Sequence, residues 1–228
     1  MPTLPDHVQS IVTEIETDIG EVDESDVRGF DSDDRPAADG NGRIERAVRS
    51  ILTEIGEDPD RDGLRRTPER IHRMYHELTA GYHVDPDRLI NGAIFAVDYS
   101  EMVVVKGIEF YSLCEHHLLP FFGTAAVGYL PRDRVIGLSK IPRIVEMYAR
   151  QLQVQERLTQ QVADFLMERI DPYGVGVVIE AQHLCTAMRG VRKGGATMVT
   201  SAVLGQFRRS QRSRDEFLAH LERGDRHP

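Results

Sequence analysis

The stretch Val175-Gly176-Val177-Val178-Ile179-Glu180-Ala181-Gln182-His183-Leu184-Cys185 is largely apolar with a period of two. On an extended chain that period puts Val175, Val177, Ile179, Ala181, His183 and Cys185 on one face. The segment is expected to be a strand whose apolar side ends in an imidazole and a thiol. His183 and Cys185 then point into the same space.

A second stretch of similar character lies upstream. Cys114-Glu115-His116-His117 sits between an extended segment and Leu118-Leu119-Pro120-Phe121-Phe122-Gly123, and the chain has 2 cysteines in all. Thiolates and imidazoles grip a borderline-soft cation such as zinc, so Cys114, His117 and Cys185 form a candidate three-ligand set with a fourth position open to water. Water held there by zinc ionises at about pH 7. Cys114 and His117 would face opposite ways on a regular strand, so joint coordination requires the chain to turn between them. Lone cysteines are also commonly inert buried thiols, or a disulfide in a secreted protein. The histidines close to each cysteine argue for the metal instead. His116 and His183 are left as proton-transfer candidates or as hydrogen-bonded core residues.

Outward from these motifs the pattern is one of blocks. Apolar positions at Ile44, Ala47, Val48, Ile51, Leu52 and Ile55 predict a helix from Gly42. Thr67-Pro68 reads as N-cap and first residue of a second helix, with Gly81 as its stop. Strands are expected between Met102 and Tyr129, helices from Ser139 to Leu152 and Gln155 to Ile170, strands over Val175 to Leu184 and Thr197 to Leu204, and a last helix around Arg212 to Leu221. Blocks of strands and helices, without strict alternation, indicate an α+β fold with an antiparallel sheet.

The 228 residues are 40% hydrophobic and 29% charged, with a formal net charge of −9. That composition fits one well-buried domain with a tail and argues against duplex nucleic-acid binding, which needs a basic surface. No apolar run approaches the length of a membrane span and the N-terminus lacks a signal-peptide pattern, so a cytoplasmic, reducing location is expected. Residues 1–42 form an acidic extension, expected to be disordered because it holds few large apolar side chains. Within it, Val8, Ile11, Val12, Ile15 and Ile19 are spaced as on a short amphipathic helix.

Two basic clusters offer anion sites. Ser139 can cap a helix that carries Lys140 and Arg143 in its first turn, where free amides favour an anion. Arg189-Gly190-Val191-Arg192-Lys193-Gly194-Gly195 follows Cys185 closely. Taken singly, each cluster also reads as ordinary solvated surface. Glu156, at the start of a helix with Gln155, either favours the helix dipole or accepts two hydrogen bonds from a purine edge.

Taken together, Ser112-Leu113-Cys114-Glu115-His116-His117, Gly137-Leu138-Ser139-Lys140-Ile141, Gln153-Val154-Gln155-Glu156-Arg157-Leu158-Thr159, and His183-Leu184-Cys185 with Arg189-Gly190-Val191-Arg192 closely resemble GTP cyclohydrolase I. The resemblance runs from about Gly42 to the C-terminus. It implies a T-fold with helices packed on one face of the sheet, made of N-terminal helices over 43–100 and a core over 101–228. It further implies a homodecamer of two pentamers that converts GTP and water to 7,8-dihydroneopterin triphosphate and formate, with one zinc ion per subunit. By position, Cys114, His117 and Cys185 would hold zinc, while His116 and His183 would transfer protons. Glu156, with the neighbouring backbone at Gln155, would hold the guanine, and Ser139 would lie near the ribose. Arg70, Lys140, Arg143 and Arg189 would hold the triphosphate.

Overall fold

The computed structural model describes residues 42–222. The acidic extension and its amphipathic segment fall outside the described residues. Helices α1 (Arg43–Glu54) and α2 (Thr67–Leu78) come first, followed by a 3-10 turn (Ala80–His83) and a short helix α3 (Pro86–Ile90). Strands β1 (Ile94–Ala96), β2 (Val103–Cys114), β3 (Pro120–Leu130) and β4 (Arg134–Ile136) are next. Helix α4 (Lys140–Ala149), strand β5 (Leu152–Gln153) and helix α5 (Gln155–Ile170) lead to β6 (Gly174–His183). A single helical turn α6 (Leu184–Ala187), strand β7 (Met198–Gly205), and helices α7 (Gln206–Arg209) and α8 (Gln211–Glu222) complete the described chain.

The main sheet has the order β5-β2-β3-β6-β7, and β1 pairs with β4 in a separate ribbon. All neighbours in the main sheet are antiparallel except β5, which adds two residues parallel to β2. The period-two face of β6 is buried as expected, with Val175, Val177, Ile179 and Ala181 all essentially inaccessible. The strand stops at His183, and Cys185 is reached through the turn of α6 rather than by two more extended residues.

Helix α4 packs on β2, and α5 packs on β6 and β7. Their inward residues, among them Ile141, Ile144, Val145, Leu158, Val162 and Leu166, are fully buried. The expectation of helices on one face needs correcting at the C-terminal end. Gly128 and Gly176 are register partners that alternate with the inward Val127 and Val177, so they face the opposite side. A Cβ on either would lie within 3 Å of the Phe217 ring of α8. Glycine is therefore required for α8 to lie flat on that face, where Phe217 meets Phe207 edge to face.

Local boundaries also differ in instructive ways. Thr67 is already helical and Arg66 takes the capping position without a side-chain cap, a shift of one residue. Gly81 does not stop α2. It lies buried inside the 3-10 turn, and a Cβ there would stand 2.0 Å from the Met147 carbonyl oxygen of α4. Its amide donates to the Arg150 carbonyl at 2.9 Å, so the residue serves a close backbone approach.

Phe217→Ala is expected to destabilise the protein by about 3–5 kcal/mol through lost burial and the cavity left behind. Leu218→Ala, next to it but half exposed, should change stability far less. Chemical denaturation of both variants checks the contrast.

Candidate metal centre

Sheet register delivers the chemistry to one edge. The pairs Leu113–Pro120 and Phe121–His183 bring the end of β2, the start of β3 and the end of β6 level with one another. After Cys114 the chain turns, as joint coordination demanded. The amides of His117 and Leu118 donate to the Cys114 carbonyl at 3.3 and 2.8 Å, and the Cys114 amide donates to the Leu119 carbonyl at 2.9 Å. Leu118 accepts a left-handed backbone, φ 54°, to close this turn.

His117 Nδ1 consequently lies 3.8 Å from Cys114 Sγ. One donor atom from each of Cys114, His117 and Cys185 lies within 4.8 Å of the others. Two donors of tetrahedral zinc, one sulfur and one nitrogen, stand about 3.6 Å apart at ordinary bond lengths. The spacing and the donor chemistry both fit such an ion. Both cysteines are free and buried. Burial, and then the neighbouring Cys114 sulfur, push the Cys185 thiol up, while the Arg189 guanidinium pulls it down. A cation between the sulfurs removes the repulsion that two adjacent thiolates would otherwise feel. The His117 side is exposed, which leaves room for a fourth ligand.

Two supports that sequence reasoning missed hold this cluster. Glu115 forms an ion pair with Arg157 of α5, and the Glu115 amide donates to the Gln153 carbonyl at 3.0 Å. Arg157 also donates to Gln153 Oε1 at 3.0 Å and to the Leu152 carbonyl at 2.9 Å. The pairing keeps Glu115 ionised, mainly through the Arg157 hydrogen bond. Both residues stand inside the motifs singled out above, but nothing in their local patterns announces a contact across 42 positions.

The second support concerns His183. Its ring lies parallel to Phe121, 4.6 Å between centroids, and its Nε2 is 2.8 Å from Gln155 Oε1. Burial holds this imidazole below its ordinary value of 6.5, against the pull of the Glu156 carboxylate. The neutral ring is thus the form at neutral pH. Gln155, expected among substrate contacts, has its side chain 1% exposed. Its amide is fully engaged by the protein, which leaves only the backbone for a ligand.

The remaining candidates are more dispersed. Glu156 is exposed on the first turn of α5. His116 is largely exposed beside the Glu115 carboxylate, 3.9 Å away. Arg189 is exposed and close enough to act on Cys185. At α4, Ser139 is helical and makes no side-chain cap. The Lys140 and Ile141 amides donate to the Gly137 and Leu138 carbonyls, and Pro142 has no N–H. Free amides therefore do not open this helix, so an anion there depends on side chains, with Lys140 buried and Arg143 half-buried. Arg70 is spent locally, donating to the Gly63 carbonyl at 3.2 Å and to Thr67 Oγ1 at 2.9 Å.

A sequence profile described as GTP cyclohydrolase I matches residues 44–222. The chain belongs to the GTP cyclohydrolase I family. GTP cyclohydrolase 1 of Synechococcus sp. (strain JA-2-3B'a(2-13)) is 56% identical over 182 residues, covering 80% of this chain and 78% of its own. The Leptospira biflexa protein of that name is 53% identical over 181 residues, covering 79% and 99%. That of Campylobacter jejuni serotype O:6 is 53% identical over 177 residues, covering 78% and 93%. In GTP cyclohydrolase I terms the antiparallel sheet with its packed helices is the T-fold. All the residues placed above lie within the matched region.

Arg157→Ala is expected to loosen the turn that carries Cys114 and His117. Zinc affinity should fall about 10- to 100-fold with secondary structure retained, as read by competition against a chromophoric chelator and by circular dichroism.

Proposed function

We propose that this protein catalyses the conversion of GTP and water to 7,8-dihydroneopterin triphosphate and formate, using one zinc ion per subunit, as the first step of pterin or folate synthesis in the cytoplasm. The observation that carries this reading is the three-donor cluster of Cys114, His117 and Cys185, set in a chain of the GTP cyclohydrolase I family. Three donors leave a coordination position open, as catalytic zinc sites do and structural ones do not.

When bound, the metal supplies Lewis acidity and an activated water beside C8 of the guanine. His183 carries to N7 the proton that water gives up as its oxygen bonds to C8, which neutralises the charge building on N7. Its neutral state at neutral pH suits it to take the proton first. His116, exposed on the turn, serves the later proton transfers as the ribose rearranges and the pterin ring closes. Glu156 accepts hydrogen bonds from guanine N1 and the 2-amino group, with the Gln155 backbone beside it and Ser139 near the ribose.

Lys140, Arg143, Arg189 and Arg70 clamp the triphosphate, so that binding energy remote from the base orients the reacting atoms. Arg70 donates to the Gly63 carbonyl and Thr67 Oγ1 within its own chain, so it would have to release those bonds to reach a phosphate of its own or a neighbouring subunit's site in a decamer of two pentamers. Exposed apolar side chains at Ile51, Ile55, Tyr111 and Val199 supply surface for such an assembly. No helix among the described residues is long and apolar enough to cross a membrane.

Incubation of zinc-loaded protein with GTP should yield equimolar formate and a pterin that fluoresces after oxidation. Cys185→Ala should abolish both. Undiminished turnover in that variant would refute the ligand set.

A further inference from the structure

We propose that Gln155 is a positioning residue that locks His183 as its Nε2–H tautomer, making Nδ1 the nitrogen that takes and returns the proton. This rests on His183 being the proton-transfer residue of the reaction proposed above. The orientation of one buried amide decides the tautomer. Gln155 Nε2 is 3.0 Å from the Ile179 carbonyl oxygen and 2.9 Å from the Met198 carbonyl oxygen. Both partners can only accept, so the NH2 end must face them.

A third neighbour, Thr200 Oγ1 at 3.1 Å, is compatible with the same choice. It stands 2.6 Å from Thr159 Oγ1, and the Thr159 hydroxyl donates to the Gln155 carbonyl at 2.7 Å. Thr200 can therefore give its hydrogen to Thr159 and still accept from the amide. The register of β6 and β7 pairs Ile179 with Thr200, so the sheet itself presents these acceptors together.

The amide oxygen is then the end that meets His183 Nε2 at 2.8 Å. An amide oxygen only accepts, which requires the hydrogen to sit on Nε2. On the neutral ring Nδ1 is bare, and no hydrogen bond to it comes from the described residues. The parallel stack on Phe121 fixes the ring plane, and Gln155 fixes which edge turns inward. With Gln155 1% exposed, its side chain acts on the reaction only through His183.

The step balances. Water oxygen bonds to C8, the water O–H breaks with its proton passing to Nδ1, the C8–N7 π pair moves to N7, and Nδ1 returns the proton there. Nε2 keeps its hydrogen and its bond to Gln155 throughout.

Solid-state NMR of zinc-loaded protein carrying nitrogen-15 histidine, with His183→Ala to identify the signals, tests the lock at neutral pH. The expected spectrum has Nε2 at the protonated, pyrrole-type position and Nδ1 at the unprotonated, pyridine-type position. The reverse assignment overturns the proposal, and because it is read on the wild type it does not depend on any variant folding. Gln155→Met keeps the side-chain length without its hydrogen bonds. It should lower kcat about 100-fold, leave KM for GTP little changed, and mix the two tautomers. A raised KM at unchanged kcat would make position 155 a substrate contact and overturn the positioning role. Full turnover by His183→Ala would instead overturn the reaction on which the proposal rests, while the nitrogen signals judge the lock separately.

Discussion

Two buried sulfurs, one at the end of β2 and one in the turn that follows β6, stand together at one edge of the sheet, and a cation between them would let them do so as thiolates. Burial and the neighbouring sulfur raise the Cys185 thiol, so binding a metal at that sulfur would release a proton. That requirement explains the local architecture. Cys114 must end β2 and be followed at once by a reversal, because His117 cannot otherwise reach the same point. Cys185 must leave the line of β6, which is the work of the single helical turn α6.

The start of α5 serves both halves of the chemistry. Arg157 reaches back to Glu115 and steadies the turn of the metal ligands, while Gln155 reaches the imidazole of His183. Glu156 lies between them and remains exposed. One rigid helix, anchored by Leu158, Val162 and Leu166 in the core, thus sets the relative positions of the candidate ligands, the His183 imidazole and the Glu156 carboxylate. Sites built on such elements hold their geometry better than sites on loops.

Much of this was legible in the sequence because it depended on short-range pattern. The alternation in Val175 to Ala181 predicts both the strand and its buried face, and the opposed directions of Cys114 and His117 predict a turn that is present. What escaped was set by tertiary contact. Phe217 covers a second face of the sheet because Gly128 and Gly176 are aligned by strand register. Gly81 resembles a helix stop but yields to a carbonyl of α4. Ser139 resembles a cap, yet the preceding turn already satisfies the first amides of α4. Gln155 lies in a motif rich in polar residues, and only the meeting of α5 with β6 and β7 shows that its amide is buried and committed.

The most direct test of the central claim is anomalous diffraction at the zinc absorption edge from crystals of the zinc-loaded protein. One peak per chain is expected, bonded to Cys114 Sγ, His117 Nδ1 and Cys185 Sγ, with a non-protein atom completing the coordination. A peak elsewhere, or a fourth protein ligand closing the site, would contradict it.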